Sequence, residues 1–315
     1  RTIATRTREG GPMEYNEKTF SSQANFHLAG IIPVAGQPLD FRMPYPDPLM
    51  PIAPGYTLIE AAVIEAAHAG CNTIWIVCND DIAPIIRHRI GDYIQDPLHF
   101  YNKYENRLND RRIRIPIFWV PIHPKDRDKR DCLSWSVIHG AVSALKVSDQ
   151  ISKWLIPDKY YVSFPYGLFD PRPIQKLRRQ IKSKNNFYVV SDGKRVSDNL
   201  YTSFTFGKEE FVIYRRNVRK GTGMYTSEVK NDRGIPTSKL PLEERWSARF
   251  FEPKDVFHGA NNDGANFYDA KDFHNINSWD NYREYMKSNL AAEIKRPSKE
   301  LFAYREFNRI ATDRD

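Results

Sequence analysis

The chain is poor in cysteine and contains no long apolar run. Its three cysteines are Cys71, Cys78 and Cys132. They lie in or beside apolar segments without the spacing of a metal site, which predicts reduced thiols in the core of a cytoplasmic protein. No segment approaches the roughly 18 consecutive apolar residues of a membrane helix, and the basic N-terminal stretch lacks the apolar centre of a signal peptide. These absences argue against a disulfide-stabilised secreted domain and against a membrane-spanning protein.

Several familiar catalytic patterns are also missing. The sequence has no CxxC pair, no HExxH motif and no Ser/His/Asp set that would mark an independent catalytic or zinc centre. It has no internal repeat and no low-complexity tract. A length of 315 residues suits one large domain or two ordinary ones.

Positive charge exceeds negative charge. The 47 Lys and Arg residues against 39 Asp and Glu residues give a formal net charge of +8 and a pI of about 9.2. This balance suits polyanionic partners, either nucleic acid or phosphorylated small molecules. The basic residues are spread over four separate segments, which favours a solvated surface over a nucleic-acid interface. The segments are Arg107–Arg114, Lys125–Arg130, Lys176–Lys184 and Arg215–Lys220.

The most informative stretch is a strand–helix–strand unit near the N-terminal end. The short apolar run Leu28–Val34, bounded by glycine and proline, predicts a buried parallel strand. A helix is predicted to begin at Thr57, with Glu60 at the capping-box spacing, and to end at Gly70. The β-branched run Thr73–Cys78 predicts the second strand. The long loop between the first strand and the helix is where a ligand is expected, because open α/β sheets bind ligands at the carboxyl ends of their strands.

The same alternation continues through the first half of the chain. Further strands are predicted at Ile113–Ile122 and Lys159–Phe164, and helices at Cys132–Val147 and Ile174–Lys182. The fold class is therefore α/β, with a doubly wound mixed sheet. From Phe187 onward, Asp-Gly and Gly-Lys turn signals predict antiparallel hairpins and a β-rich second half.

Three regions are predicted. Residues 1–25 form a polar N-terminal arm, ordered only if something docks it. Residues 26–290 form the α/β domain, with a β-rich hairpin portion at residues 187–260. Residues 291–315 form a C-terminal helical tail.

The order of short motifs resembles that of the sugar-phosphate nucleotidyltransferases, which make UDP-glucose and related nucleotide sugars. Val34-Ala35-Gly36 stands where these enzymes begin a glycine loop, and Pro48–Ile52 is similar to their PKPLLPI segment. Leu58-Ile59-Glu60 and Ile74–Val77 match the following helix start and strand. Phe273–Tyr282 resembles their DIGTW-x-x-Y segment. The resemblance implies a Rossmann-like, GT-A-type fold and a reaction of a nucleoside triphosphate with a sugar 1-phosphate that releases pyrophosphate.

The resemblance also implies a glycine-loop site. Ala35, Gly36 and Gln37 would approach the phosphates, with backbone N–H groups as donors. Arg42 is the candidate catalytic cation. Pro38 removes one N–H donor from this loop, and no second glycine follows Gly36.

Other implied site positions carry unexpected residues. Asp47 stands at the lysine position of the resembled family, where an anion would repel phosphate, and Asn275 replaces an aspartate that holds Mg²⁺. Pro165-Tyr166 replaces the Gly-Asp at the end of the fourth strand. Asp170 either substitutes as a metal ligand by reaching back or serves as a helix N-cap before Pro171. Ser134, near a predicted helix start, would either contact an anion or serve as a helix cap.

Three functional hypotheses follow. The first is a divergent nucleotidyltransferase that handles a nucleoside triphosphate or nucleotide sugar with Mg²⁺. The second is a catalytically impaired relative that serves as a binding or assembly module, with a homo-oligomer or a partner held through residues 1–25. The third is a glycosyltransferase that uses Asp126-Arg127-Asp128 as its metal motif. The residues alone leave the presence of enzymatic activity open.

Overall fold

The computed structural model describes residues 26–36, 39, 41–101, 114–127, 129–151, 155–221, 229–235, 238 and 248–302. The predicted N-terminal arm and residues 303–315 of the predicted tail lie outside these ranges. Within them, no helix combines the length and the apolar composition needed to cross a membrane.

The strands and helices of the described ranges are numbered in chain order. The strands are β1 (Leu28–Pro33), β2 (Pro51–Ala53), β3 (Tyr56–Thr57), β4 (Thr73–Val77), β5 (Tyr93–Gln95), β6 (Arg114–Val120), β7 (Lys159–Val162), β8 (Gly167–Leu168), β9 (Phe187–Val190), β10 (Phe204–Phe206), β11 (Asn266–Asp269) and β12 (His274–Asn275). The α-helices are α1 (Leu58–His68), α2 (Ala83–Ile90), α3 (Pro97–Tyr101), α4 (Pro124–Arg127), α5 (Leu133–Ile151), α6 (Arg178–Ile181), α7 (Lys208–Gly221), α8 (Pro253–Val256), α9 (Trp279–Met286) and α10 (Asn289–Glu293).

An eight-stranded mixed sheet forms the centre of the molecule, in the order β11-β9-β10-β7-β1-β4-β6-β5. Strand β1 pairs in parallel with β4 on one side and β7 on the other, and β4 pairs in parallel with β6. Strand β10 is antiparallel to β7, and β5 is antiparallel to β6. The predicted α/β class with a mixed sheet is confirmed.

The two faces of the sheet carry separate halves of the core. All eleven residues of α1 are buried on one face, and α5 covers the other. Alternate residues of β1 point to opposite sides, so that Leu28 and Ile32 pack with the α1 side while Ala29 and Ile31 pack with the α5 side. Such two-sided burial explains the unbroken apolar sequence of this strand.

The capping box at the start of α1 is present as predicted. The backbone N–H of Thr57 donates to the Glu60 carboxylate at 3.0 Å. Glu60 is fully buried and also pairs with Arg89 at 3.1 Å and with Arg296 at 2.5 Å. One side chain therefore caps the helix and joins it to two distant segments.

The predicted run of hairpins after Phe187 is wrong over residues 208–221, where the chain forms helix α7. Phe211, Tyr214 and Val218 recur at helical spacing, and Tyr214 and Val218 are buried on the α5 side of the sheet. The expected turn at Gly207 is a helix start, because its N–H donates to the Glu210 carboxylate at 2.8 Å.

Three smaller expectations also differ. The segment predicted as a strand at Ala248–Val256 is a 3-10 turn followed by α8. The predicted helix over Ile174–Lys182 is a 3-10 helix through Leu177 followed by one turn of α-helix. The helix expected to run from Trp279 to Leu290 breaks at Ser288, whose hydroxyl caps α10.

The order of strands places a switch point at the carboxyl end of β1. The chain leaves β1 toward β4 on one side and returns through α5 to β7 on the other. Loops therefore diverge there and leave a crevice above the strand ends, which is where open α/β sheets bind ligands.

Candidate functional site at the carboxyl edge of the sheet

The loop that follows β1 is fastened to the neighbouring elements. The N–H groups of Val34 and Ala35 both donate to the Val77 carbonyl, at 2.9 and 2.7 Å. The Ser136 hydroxyl donates to the Ala35 carbonyl. A Cβ on Gly36 would lie 3.0 Å from the Leu133 nitrogen, so a larger residue would push the loop away from α5. The loop thus lies directly against the N-terminus of α5.

The N-terminus of α5 is built around Cys132. Its carbonyl accepts the Ser136 N–H at 3.1 Å, and its thiol sulfur accepts the Trp135 N–H at 3.4 Å. Burial raises the pKa of the Cys132 thiol to about 12, so this cysteine remains a neutral capping group. The helix then directs its partial positive charge toward the crevice.

Tyr201 forms the opposite wall. Its N–H donates to the Asn275 side-chain carbonyl at 2.8 Å, and its ring contacts those of Phe164 and Tyr166, with centroids 5.4 and 5.9 Å away. A Cβ on Gly167 would come within 1.9 Å of the Tyr201 carbonyl oxygen. The Tyr201 backbone is therefore hydrogen-bonded to Asn275 on one side and packed closely against Gly167 on the other.

These elements enclose a small cavity, here named the edge cavity, of about 240 Å³. It is lined by Leu39, Leu133, Ser134, Tyr201, Arg249 and Phe250, among others.

Two residues that line the edge cavity each carry a polar atom that is buried without a hydrogen-bond partner in the described part of the chain. These atoms are the hydroxyl of Ser134, which is 1% exposed, and Nε of Arg249. Orphaned buried donors are rare and costly in native proteins, and they call for an explanation. Both donors, together with the end of a 19-residue helix, favour an acceptor-rich, negatively charged group in this space.

The structure brings some of the predicted site residues together. Ser134 lines the edge cavity. Gly36 lies against Leu133, and the Ala35 carbonyl accepts a hydrogen bond from Ser136, so both residues lie beside the α5 N-terminus. Asn275 accepts the N–H of Tyr201, which is a residue of the cavity wall. Gln37 and Pro38 lie outside the described residues. The proposed roles of all these residues remain predictions.

Two other predicted residues, Arg42 and Asp47, do not line the edge cavity. Arg42 is exposed in a left-handed conformation, with φ of 54°, and does not line the edge cavity. Burial, and next the charge of Asp47, raises the pKa of Tyr166 well above its usual value. Asp47 therefore lies near the wall of the crevice and brings an anion there.

Asp170 faces a different space. It lines a cavity of about 830 Å³ beside α1, with His68 and Gln175. Arg172 binds its carboxylate in a bidentate manner, with donor–acceptor distances of 2.8–3.0 Å. Burial raises the pKa of the Asp170 carboxyl, but the hydrogen bonds and charge of Arg172 lower it by more. The pKa of Asp170 therefore lies below its usual value.

The described residues do not fit a magnesium ion. No group of three or more His, Cys, Asp or Glu side chains within the described ranges is placed to hold a metal. The Asn275 oxygen is used by Tyr201, and the Asp170 carboxylate is used by Arg172. Of the alternative Asp-x-Asp motif, Asp126 pairs with Arg130 at 3.3 Å, and Asp128 lies outside the described residues.

Matches to known proteins are found among solved structures, at 10–12% sequence identity. No protein-family model and no curated protein matches the chain. A Bacillus anthracis protein described as a glucose-1-phosphate thymidylyltransferase, solved with sucrose, shares 10% identity over 86% of this chain and 98% of its own, with a TM-score of 0.49. A UDP-glucose pyrophosphorylase solved with UDP-glucose shares 12% identity over 82% and 97% of the two chains, with a TM-score of 0.45. A Vibrio cholerae nucleoside-diphosphate-sugar pyrophosphorylase shares 12% identity over 82% and 100%, with a TM-score of 0.42.

Sequence reasoning missed two residues of the site. Arg249 lies in a segment predicted as a strand, and no spacing links it to β1. Tyr201 follows a turn signal and carries no motif. Arg249 reaches the cavity because residues 248–253 lie over the α5 N-terminus, and Tyr201 is held there by its hydrogen bond to Asn275.

Proposed function

We propose that the chain binds a nucleotide or nucleotide sugar at the carboxyl edge of the sheet, with a phosphate group in the edge cavity. The observation that carries the proposal is that Ser134 and Arg249, which line one cavity at the α5 N-terminus, each carry a buried donor without a partner in the described part of the chain. A phosphate oxygen accepts hydrogen bonds from both, and its charge suits the guanidinium and the helix dipole.

Binding without nucleotidyl transfer is the form of this function that the residues favour. Asp47 stands where the resembled enzymes have a lysine, and it brings negative charge to the crevice wall. The side-chain oxygen of Asn275 already accepts a hydrogen bond from the Tyr201 N–H. A transfer reaction needs cations placed to neutralise the developing phosphate charge.

Titration calorimetry with UDP-glucose and with UTP tests the binding. We expect Arg249→Gln to weaken binding about 10- to 100-fold, since a hydrogen bond to a charged group contributes roughly 1.5–3 kcal/mol. Ser134→Ala is expected to weaken it about three- to tenfold. The matched controls are Arg179→Gln on exposed α6 and Ser148→Ala, a buried serine farther along α5; both should bind as the wild type does.

The free protein offers a second readout. Because the Ser134 hydroxyl is buried without a partner in the described part of the chain, its removal in Ser134→Ala is expected to leave the free energy of unfolding unchanged or to raise it slightly. A variant that loses affinity while keeping stability points to a ligand contact. Equal affinities in Arg249→Gln, Ser134→Ala and the controls would refute the proposed site.

Activity is tested separately by pyrophosphate release from UTP with glucose 1-phosphate and Mg²⁺. We expect none above background. Measurable release that disappears in Arg42→Gln would instead restore the catalytic role that the sequence predicted for Arg42.

A further inference from the structure

Glu65 is a buried carboxyl group held only by hydroxyls. It is 4% exposed on α1 and forms no salt bridge within the described part of the chain. The Tyr161 hydroxyl donates to Oε1 at 2.7 Å, the Ser163 hydroxyl donates to Oε2 at 2.9 Å, and the Ser203 hydroxyl also reaches Oε1. The cluster joins α1 to β7 and to the residue before β10.

The geometry of Ser163 allows both protonation states of this carboxyl. Its oxygen lies 2.9 Å from Glu65 Oε2 and 3.2 Å from the Ala62 carbonyl. With a proton on Oε2, Glu65 donates to Ser163, which donates in turn to Ala62, while Oε1 accepts from the other two hydroxyls. Without that proton, Ser163 turns its donor to the carboxylate, and a full negative charge remains buried.

The groups that face Glu65 do not compensate such a charge. They are Tyr161 on β7, Tyr56 ahead of α1 and Cys71 beyond it, and burial raises the pKa of each, that of Cys71 to about 12. All three are neutral between pH 5 and 9. Burial likewise raises the pKa of Glu65 to about 7, and the three hydroxyl hydrogen bonds offset only part of this effect.

The cluster is two residues from the wall of the edge cavity. Ser203 is separated from Tyr201 by Thr202 alone, whose hydroxyl oxygen is buried without a partner in the described part of the chain. Ser163 belongs to the sheet centre, where its N–H donates to the Ile31 carbonyl at 3.0 Å. The Ser203 carbonyl accepts the Val189 N–H of β9 at 2.8 Å, so Glu65 acts on the Tyr201–Ser203 segment through the Ser203 hydroxyl, which is the contact that changes when the carboxylate draws water or moves outward.

We propose that Glu65 is a proton-linked positioning residue for the edge cavity: its protonated form holds Tyr201–Ser203 in place, and loss of the proton loosens this segment and weakens ligand binding. The inference rests on the proposed nucleotide function of that cavity. Glu65 itself touches no ligand and acts through Ser203.

The sign of the effect follows from linkage. Folding raises the pKa of the Glu65 carboxyl from 4.5 to about 7, so the folded protein holds this proton more tightly than the unfolded chain does. The resulting contribution to the free energy of unfolding is complete below pH 4.5 and is lost as the pH rises through 7. Affinity for the ligand should follow the same direction and fall between pH 6 and pH 8.

Titration calorimetry with UDP-glucose at pH 6, 7 and 8 tests the proposal, since the phosphodiester groups of this probe do not titrate in that range. We expect the wild-type Kd to rise about tenfold from pH 6 to pH 8, a typical coupling. Glu65→Gln should show little change. The matched control is Glu284→Gln, an exposed glutamate of α9, which should keep the wild-type profile.

Two further measurements keep the test decisive. Ser203→Ala should abolish the pH dependence of binding while the unfolding free energy still changes with Glu65 ionisation. Hydrogen exchange of the Tyr201–Ser203 amides, corrected for intrinsic rate, should be faster at pH 8 than at pH 6 in the wild type and equal in Glu65→Gln.

The outcomes separate the two proposals. Binding with the same pH profile in wild type and Glu65→Gln overturns the role of Glu65 and leaves the proposed function intact. No binding to any variant overturns the proposed function. In that case hydrogen exchange is the remaining test of Glu65. Equal exchange of the Tyr201–Ser203 amides at pH 6 and pH 8 in the wild type would overturn the linkage as well.

Discussion

Gly167→Ala is expected to lower the free energy of unfolding by about 3 kcal/mol or more, at the upper end of overpacking effects. The added Cβ would stand 1.9 Å from the Tyr201 carbonyl oxygen, and neither strand β8 nor the Tyr201 backbone can turn away as a flexible side chain would. Tyr201 must move, and its 2.8 Å hydrogen bond to Asn275 is then strained or lost.

Chemical denaturation of the wild type, Gly167→Ala and Gly207→Ala measures this effect. Gly207 is the matched control because its Cβ would meet only a carboxylate oxygen of Glu210 at 3.3 Å, and we expect it to cost under about 1 kcal/mol. A Gly167→Ala protein that still folds should also bind UDP-glucose more weakly, since Tyr201 lines the edge cavity. Equal stability of the two variants would show that the Tyr201 segment adapts.

Arg178→Met should destabilise the fold by about 3–5 kcal/mol, the cost of removing one partner from a buried ion pair. The guanidinium binds both oxygens of Asp96, at 2.7 and 3.0 Å, and donates to the carbonyls of Ala67 and His68 at 2.8 Å. The side chains of Arg178 and Asp96 are only 18% and 10% exposed. The substitution leaves a buried carboxylate without its cation and two carbonyls at the end of α1 without their donor.

The neighbouring Arg179 provides the control, because it is exposed on the same short helix. Arg179→Met is expected to change the unfolding free energy by no more than about 0.5 kcal/mol. The double variant Arg178→Met/Asp96→Leu should recover part of the loss, since it removes the orphaned charge. A cost below 1 kcal/mol for Arg178→Met would mean that water reaches Asp96 and replaces the arginine.

Local sequence was sufficient where one element contains its own signals. The first strand, the capped helix and the second strand were predicted from Leu28, Thr57, Glu60 and Gly70 because apolar runs and caps act over a few residues. The wrong prediction over α7 also came from a local signal. Gly207-Lys208 has the pattern of a turn, although Phe211, Tyr214 and Val218 recur at helical spacing.

The residues of the candidate site also fall into those that local sequence predicts and those that it does not. Ala35, Gly36 and Ser134 could be named from the sequence, because each lies at the end of a recognisable strand or the start of a helix. Arg249 could not be named, since it comes from a segment more than 100 residues further along the chain. Asn275 was noted for its position, but its role as acceptor for Tyr201 depends on the pairing of β12 with β8.

Periodicity and caps are properties of neighbouring residues, so the amino-acid pattern predicts the α/β class, the strand–helix–strand unit and the place where a ligand is expected. The tertiary structure sets which polar groups are left unpartnered at that place. It joined Glu65 to hydroxyls from two strands, held Tyr201 between Gly167 and Asn275, and brought Arg249 to Ser134. Such contacts depend on how distant segments close over the sheet, and no local pattern records them.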